Sequence, residues 1–354
     1  GEWEEKQLGN IIKVNSGKDY KHLDKGDIPV YGTGGYMTSV SEPLSEIDAV
    51  GIGRKGTINK PYLLEAPFWT VDTLFYCTPK KETDILFILS LFRKINWKVY
   101  DESTGVPSLS KQTINKINRF VPTNKEQQKI GKFFSKLDRQ IELEEQKLEL
   151  LQQQKKGYMQ KIFSQELRFK DENGNDYPDW TNERLGEVTT VTMGQSPKSV
   201  NYTDNSNDTV LIQGNADIEN GLINPRIYTR EVTKLIQKDE IILTVRAPVG
   251  KLAMAQINAC IGRGVCSIKG DKFLYYFLEW FATQNKWIRF SQGSTFESIS
   301  GNDIRNIHIK IPVEDERTKI IKLLNSLDVL NSKTDLKIQN LKQRKQSLLQ
   351  KIFV

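Results

Sequence analysis

The sequence predicts an α+β chain in which two globular domains of mixed sheet and helix alternate with two long helices that pair as a coiled coil. Three observations predict it. Residues 122–163 recur at 312–353 without a gap, with about 15 of the 42 paired positions identical. Both copies hold apolar residues at heptad spacing over several heptads, the pattern of a coiled-coil seam. The stretch before each copy breaks into short β-rich runs and turns around one apolar helix, and it carries a fainter version of the same repeat. A repeat offset of 190 residues is far longer than a solenoid unit, so it marks a duplicated domain and not an array.

In chain order, residues 1–121 form the first globular domain. Trp3 and Leu8-Gly9 open it, and a β-rich stretch follows at 11–14. A Gly-containing strand and turn at 28–35 comes next, then an apolar strand running into a basic turn at 50–57. Residues 84–97 read as a helix dense in Ile, Leu, Phe and Trp. Ser103-Thr104 and an Ile-Asn-Lys-Ile strand then lead to Pro122, which opens the first long helix, 122–163. The second globular domain, 164–311, begins with a linker whose turns fall at Asn173-Gly174 and Tyr177-Pro178. It then repeats the plan: Trp180, Leu185-Gly186, β-type runs at 188–192, 210–214 and 242–250, and an aromatic helix at 271–290. Ser294-Thr295 and an Ile-Arg-Asn-Ile strand precede the second long helix, 312–354.

The seam of the first long helix comprises Ile130, Phe134, Leu137, Ile141, Leu148 and Leu151, continuing to Tyr158 and Ile162. That of the second comprises Ile320, Leu324, Leu327, Ile338, Leu341 and Leu348. Polar residues interrupt both seams, Glu144 and Lys155 in one, Asn331, Thr334 and Lys345 in the other. A lysine at the same position of both copies is suited to setting register at some cost in stability. Thr123 and Glu126 have capping-box spacing, while Val313 takes the threonine slot in the second copy. An amphipathic helix packed on its own domain would show the same period; two similar helices in one chain favour mutual pairing.

The net charge of +7 resides in the helices: residues 125–163 and 314–354 contribute +3 and +4, and the globular stretches balance. Any DNA-facing surface on the globular domains must therefore be a local patch. A length of 354 residues with 38% hydrophobic content predicts two or three folded domains. Apolar runs such as 85–92 fall short of a bilayer span, so no membrane partner is expected. Cys77, Cys260 and Cys266 lack CxxC spacing and His22 and His308 are the only histidines, which argues against a zinc site or disulfide framework and fits a reducing cytoplasm. Gly1 stands where a Met would begin a chain, and 167–180 leads into the second repeat. We therefore expect residues before Gly1 that include a counterpart of that lead-in.

Few motifs carry catalytic chemistry. Gly51-Ile-Gly53-Arg-Lys-Gly56 fits G-x-G-x-x-G after a strand, yet Asn59 and Pro61 oppose the helix that a dinucleotide site needs. A basic turn between strands fits better, with Arg54 and Lys55 offering donors to phosphates or guanine edges. The turn 245–251 presents Arg246 and Lys251 at the matching place. Gly250-Lys251 lacks the rest of a P-loop, and no H-E-x-x-H or G-x-S-x-G occurs. Asn224-Pro225-Arg226 is not the Asn-Pro-Pro-aromatic loop of an amino-methyltransferase, and the Glu145-x-Lys147 and Asp335-x-Lys337 pairs lie on the long helices. The aromatic helix at 271–290 has core spacing.

Together these motifs resemble the DNA-specificity subunit of type I restriction–modification systems, over nearly the whole length. The resemblance rests on Trp3 with Leu8-Gly9 and Trp180 with Leu185-Gly186 opening each half. It also rests on the turn Gly53-Arg54-Lys55-Gly56, the Ser-Thr loops, and Pro122 followed by Glu126-Gln127-Gln128-Lys129-Ile130 entering a helix that ends Gln-Lys-Ile-Phe. The second copy departs where Glu316-Arg317-Thr318 replaces Glu126-Gln127-Gln128.

The resemblance implies two target-recognition domains, pseudo-two-fold related, each reading one half of a split site in double-stranded DNA and held apart by an antiparallel pair of helices. It implies a non-catalytic chain that binds no cofactor. Adenine methylation and cleavage, with S-adenosylmethionine, ATP and Mg, would belong to two modification subunits and to restriction subunits. The DNA-contacting residues expected are Tyr31, Arg54, Lys55, Thr57, Ser103 and Thr104 in the first half, and Gln213, Asn215, Arg246, Lys251, Ser294 and Thr295 in the second. Half-sites about 34–36 Å apart suit such an arrangement, since a helix of about 38 residues spans on the order of 57 Å. Exposed helix residues outside the seam are expected to dock the modification subunits. The rival is a coiled-coil scaffold joining two protein-binding domains without touching DNA, which the balanced domain charge also fits.

Overall fold

The structure is a computed structural model and describes residues 2–291 and 298–353. The chain divides into two compact units, one of Gly1–Lys147 with Thr334–Val354 and one of Leu148–Lys333. Each unit therefore contains part of both long helices. Among the described residues no helix is long and apolar enough to cross a membrane.

The first unit is built on an antiparallel sheet in the order Ile12–Ser16, Leu74–Pro79, Ala49–Gly53, Tyr62–Leu64. One of its two inner strands, Ala49–Gly53, is buried throughout. The helix Ile85–Lys94 packs Phe87, Ile88 and Phe92 into the same core as Leu8, Val50, Ile52 and Trp97. Asp84 caps this helix, accepting from Phe87 N at 2.8 Å. A smaller sheet holds the hairpin Lys25–Gly32/Gly35–Val40 and the strand Trp69–Thr70, which runs parallel to the first hairpin strand.

The second unit repeats the larger sheet with the strands Val191–Met193, Val265–Ile268, Ile241–Thr244 and Leu252–Met254 in the same order. Its second sheet has five strands, with Thr209–Ile212 parallel to Ala259–Ile261. The aromatic helix is broken at Asn285 (φ +53°) into Lys272–Thr283 and Lys286–Ser291. Phe273, Tyr276, Phe277 and Phe281 are buried, so this helix supplies core.

The Leu-Gly pairs sit in single-turn helices, Leu8–Ile11 and Leu185–Val188. Both leucines are fully buried, and a Cβ on either glycine would meet a neighbour closely: Asn115 Cβ at 3.0 Å from Gly9, Arg305 Cβ at 2.8 Å from Gly186. The runs expected as Ile-Asn-Lys-Ile and Ile-Arg-Asn-Ile strands are instead the ends of the helices Lys111–Lys116 and Gly301–Arg305, capped by Ser110 and Ser300. Their isoleucines, three apart, bury on one side. The strands follow, at Asn118–Val121 and His308–Ile311, each in a two-stranded ribbon with Glu4–Gln7 or Thr181–Arg184.

The long helices are Asn124–Phe163 and Glu314–Ile352. In the first unit their segments run antiparallel, with Lys345 Nζ 2.5 Å from Asp138, Lys342 Nζ 2.6 Å from Glu145, and Lys337 paired with Glu144. In the second unit Lys155 Nζ lies 2.8 Å from Asp328. Of the seam residues, Phe134, Leu137, Ile141, Ile320, Leu324, Leu327 and Ile338 are buried, and Ile130, Leu148, Leu151, Leu341 and Leu348 are half-buried. Near the helix ends burial moves one residue along, to Met159 and Leu349 instead of Tyr158 and Leu348. A 3.6-residue helix drifts from a strict 3.5 repeat, and here the drift turns the stripe toward the globular core.

Each helix start is tied to its unit by an indole. Trp3 Nε1 donates to Glu126 at 3.2 Å, and Trp180 Nε1 to Glu316 at 3.0 Å. Gln127 accepts from Asp84 N at 3.0 Å, joining the long helix to the start of Ile85–Lys94. Arg317, the departure in the second copy, makes the same tie by charge, with Nε 3.2 Å from Asp271, the cap of Lys272–Thr283.

Candidate nucleic-acid interface

In the first unit the buried strand Ala49–Gly53 delivers Arg54 and Lys55 to the surface, where both are exposed. Gly53 is obligatory, because a Cβ there would sit 2.0 Å from Thr57 O, and Gly56 has φ +94°. After Gly56 the chain continues as turn to the strand Tyr62–Leu64, the geometry of a basic turn and not of a dinucleotide loop.

Backbone hydrogen bonds join this turn to the loop around residue 107. Leu109 N donates to Arg54 O at 2.9 Å and Gly56 N to Pro107 O at 2.8 Å, with Lys55 and Ser108 in a β-bridge. The basic turn and the Ser103-Thr104 loop, about fifty residues apart in sequence, are thereby brought together. Arg54 N also donates to Thr73 O at 2.8 Å, and its guanidinium lies 5.9 Å from the Phe75 ring centre. Ser16, Arg54, Lys55, Phe75, Ser108, Leu109, Ser110 and Lys111 line an open cleft of about 500 Å³.

Two carboxylates shape the loop. Asp101 accepts from Ser108 N (2.9 Å), Ser103 N (3.0 Å) and Ser103 Oγ (2.8 Å), and these bonds, that of Ser108 first, hold its pKa below the ordinary range. Glu102 accepts from Thr113 Oγ1 and Ser110 Oγ, which lower its pKa likewise. Ser103 thus spends its hydroxyl inside the loop, while Thr104 is exposed and Thr57 half-buried. Tyr31 is half-buried between Tyr36 and Tyr62.

The second unit has the same frame. Ile299 N donates to Val245 O at 3.0 Å, Val245 N donates to Gly264 O at 2.9 Å, and Arg246 forms a bridge with Ser298. Val245 therefore stands where Arg54 does, and exposed Arg246 stands where Lys55 does. Lys251, expected among the DNA-contacting residues, is directed inward. Its ammonium donates to Ile218 O (2.6 Å) and Asn215 O (3.1 Å), so it braces the fold and does not face outward. Gln213 and Asn215 are half-buried around Asp217, whose carboxylate accepts from Gln213 N at 2.8 Å. Ser294 and Thr295 lie outside the described residues.

The geometry adds Ser16, Ser108, Ser110 and Lys111 to the first cleft. The one signal for them in the sequence was the serine before each short helix, Ser110 and Ser300, at matching places in the two halves.

Among known proteins, the chain is 30% identical over 261 residues to a Methanocaldococcus jannaschii protein assigned as the type I restriction enzyme MjaX specificity subunit, covering 70% of this chain. It spans only 61% of that relative's length. The MjaVIII specificity subunit of the same organism is 25% identical over 312 residues, 81% of this chain and 71% of the relative. The fold matches the crystal structure of a type I restriction–modification S subunit from M. genitalium with a TM-score of 0.71 at 16% identity, over 99% of this chain and 96% of the other. The family model described as type I restriction modification DNA specificity domain matches twice, at residues 1–153 and 177–343. With both halves so matched, the chain belongs to the type I restriction–modification DNA specificity family.

Proposed function

We propose that the chain is the sequence-reading subunit of a type I restriction–modification complex, with each unit reading one half of a bipartite target in double-stranded DNA. The observation that carries this is the recurrence of one frame in both units: a buried strand ends in an exposed basic turn, zipped to a second loop through Leu109 N–Arg54 O or Ile299 N–Val245 O. A rigid basic turn on a strand end suits base-edge readout, because phosphate contacts position a protein while base contacts specify the sequence. Arg54, Lys55, Lys111 and Thr104 would face DNA in the first half, and Arg246 in the second. Thr57, Tyr31, Gln213 and Asn215 would shape these surfaces from behind, together with Lys251.

In this reading the globular domains are residues 1–121 and 164–311, and the helices 122–163 and 312–354 space the half-sites. The chain is non-catalytic. Two modification subunits with S-adenosylmethionine, and restriction subunits with ATP and Mg, would supply adenine methylation and cleavage in the cytoplasm. Gel shifts of the full chain with its modification subunit test the function. Sequence-dependent retardation supports it, and retardation without sequence dependence, or none, would favour a protein-joining scaffold.

A further inference from the structure

We propose that the hairpin tip of the first unit reads a thymine through its methyl group, using Tyr36 and Met37, neither of which belongs to the basic turn. The inference rests on the DNA-reading function proposed above and adds a base contact to it.

The tip is built to present apolar surface rigidly. Strands Lys25–Gly32 and Gly35–Val40 pair down to Gly32 opposite Gly35, whose φ of +104° closes the turn. Tyr36 and Met37 follow at once, 64% and 52% exposed. Tyr36 packs edge-on against Tyr31 with ring centres 6.4 Å apart, and Tyr31 against Tyr62 at 6.2 Å. Tyr62 anchors the row by donating its hydroxyl to Gly32 O at 2.6 Å. Burial, and secondarily Tyr31, push the Tyr62 pKa up, which keeps that hydroxyl a donor. Met37 lies over Gly32, where a Cβ would come within 2.7 Å of Sδ.

The chemistry of the tip narrows what it can read. Met37 offers no donor, and one hydrogen-bonding position of the Tyr36 hydroxyl is taken by Ser39 Oγ at 3.0 Å. Most of the outward surface is ring and thioether. Base edges in the major groove present hydrogen-bonding groups and one apolar group, the C5 methyl of thymine, and the groove admits a two-stranded ribbon. The hairpin is also continuous with the basic turn. Val71 N donates to Tyr31 O at 3.0 Å, and two residues on, Thr73 O accepts from Arg54 N at 2.8 Å. The turn 71–74, closed by Leu74 N donating to Val71 O at 3.1 Å, thus ties the backbone of Tyr31 under the tip to the backbone of Arg54.

The test uses the full chain with its modification subunit and the target duplex, replacing each thymine in turn by deoxyuridine and reading affinity by fluorescence anisotropy. Wild type should lose about four-fold at one thymine, the worth of one buried methyl. The Tyr36→Ala/Met37→Ala variant should bind the thymine duplex as weakly as wild type binds that uracil duplex, with no further loss on uracil. Tyr36→Phe/Met37→Leu should keep both the discrimination and the melting curve, since the ring against Tyr31 and the cover over Gly32 are retained. A double-alanine variant that still discriminates thymine from uracil wherever wild type does would overturn the proposal. So would a wild type indifferent to every substitution. Wild type without any sequence-dependent binding would instead overturn the DNA-reading function on which the proposal stands.

Discussion

Lys155 Nζ lies 2.8 Å from the Asp328 carboxylate. At the positions related by the repeat, Lys345 Nζ lies 2.5 Å from Asp138. Each pair is joined by a charge from the apolar helix of its own unit, Glu279 at 2.8 Å from Lys155, and Arg93 bonded to Asp138. The seam lysines foreseen as register setters thus bond across the helix pair and onto the globular part at the same time. Burial pulls the Lys155 ammonium down, yet Glu279 and Asp328 together outweigh it and hold its pKa above the ordinary lysine value.

Lys155→Met should therefore lower stability in urea unfolding by about 1–3 kcal/mol, because two half-exposed carboxylates lose their partner. A group whose folded pKa is raised contributes fully below its unfolded pKa and loses that contribution as pH rises through the folded value. The difference between variant and wild type should thus persist at neutral pH and shrink only at strongly alkaline pH. Unchanged stability at pH 7 would contradict a stabilising role for this ion-pair network.

Glu316 is fully buried, and its oxygens accept from Arg168 Nε (2.8 Å), Arg168 Nη2 (2.9 Å) and Trp180 Nε1 (3.0 Å). Glu316→Ala should cost about 2–4 kcal/mol, since it strands a guanidinium and an indole donor. Trp180 fluorescence should report the change directly. An unaltered melting curve would show that the helix start does not depend on this carboxylate.

Lys55 and Lys251 should part company. Lys55→Ala should leave melting unchanged and weaken target binding by about 1–3 kcal/mol if the side chain meets a base. Lys251→Ala should destabilise by about 1–2 kcal/mol, because the Ile218 carbonyl loses its lysine donor while Asn215 O keeps Ile218 N, and should leave base preference intact. Relaxed specificity in the Lys251 variant would reverse its assignment as a brace.

Asp101 and Glu102 both have lowered pKa values, so each contributes to the pH response expected of the first loop. A carboxylate whose folded pKa is depressed stabilises above its unfolded pKa of about 3.9 and loses that contribution as pH falls through the folded value. Wild type should therefore lose more stability than Asp101→Asn when acidified below about pH 4. Parallel acid curves, measured by circular dichroism, would show that the loop does not need the charge.

Much of this architecture was legible because the sequence writes it twice. Glu126 and Glu316, Asp138 and Asp328, and Lys155 and Lys345 are matched residues with matched contacts, so the repeat carried both position and role. Arg317 was harder, since the Gln127 contact survives there with different chemistry. The short helices Lys111–Lys116 and Gly301–Arg305 were misread as strands because one turn has too few residues to show a period, and the Ser110 and Ser300 caps were the better signal. Lys251 shows why site residues are less legible. Residue type suggested a phosphate contact, but the fold turns the ammonium onto two carbonyls far away in sequence. Tyr36 and Met37 carry no signal in the sequence, because only the paired strands show that the apolar tip is exposed.

The central claim, two units reading two half-sites, is tested most directly by methylome sequencing of cells that express the chain with its modification subunit, alongside the Arg246→Ala variant. The prediction is one adenine-methylated motif of two short half-sites separated by a fixed gap, with the variant relaxed in one half only. A contiguous motif, no motif at all, or relaxation of both halves together would contradict it.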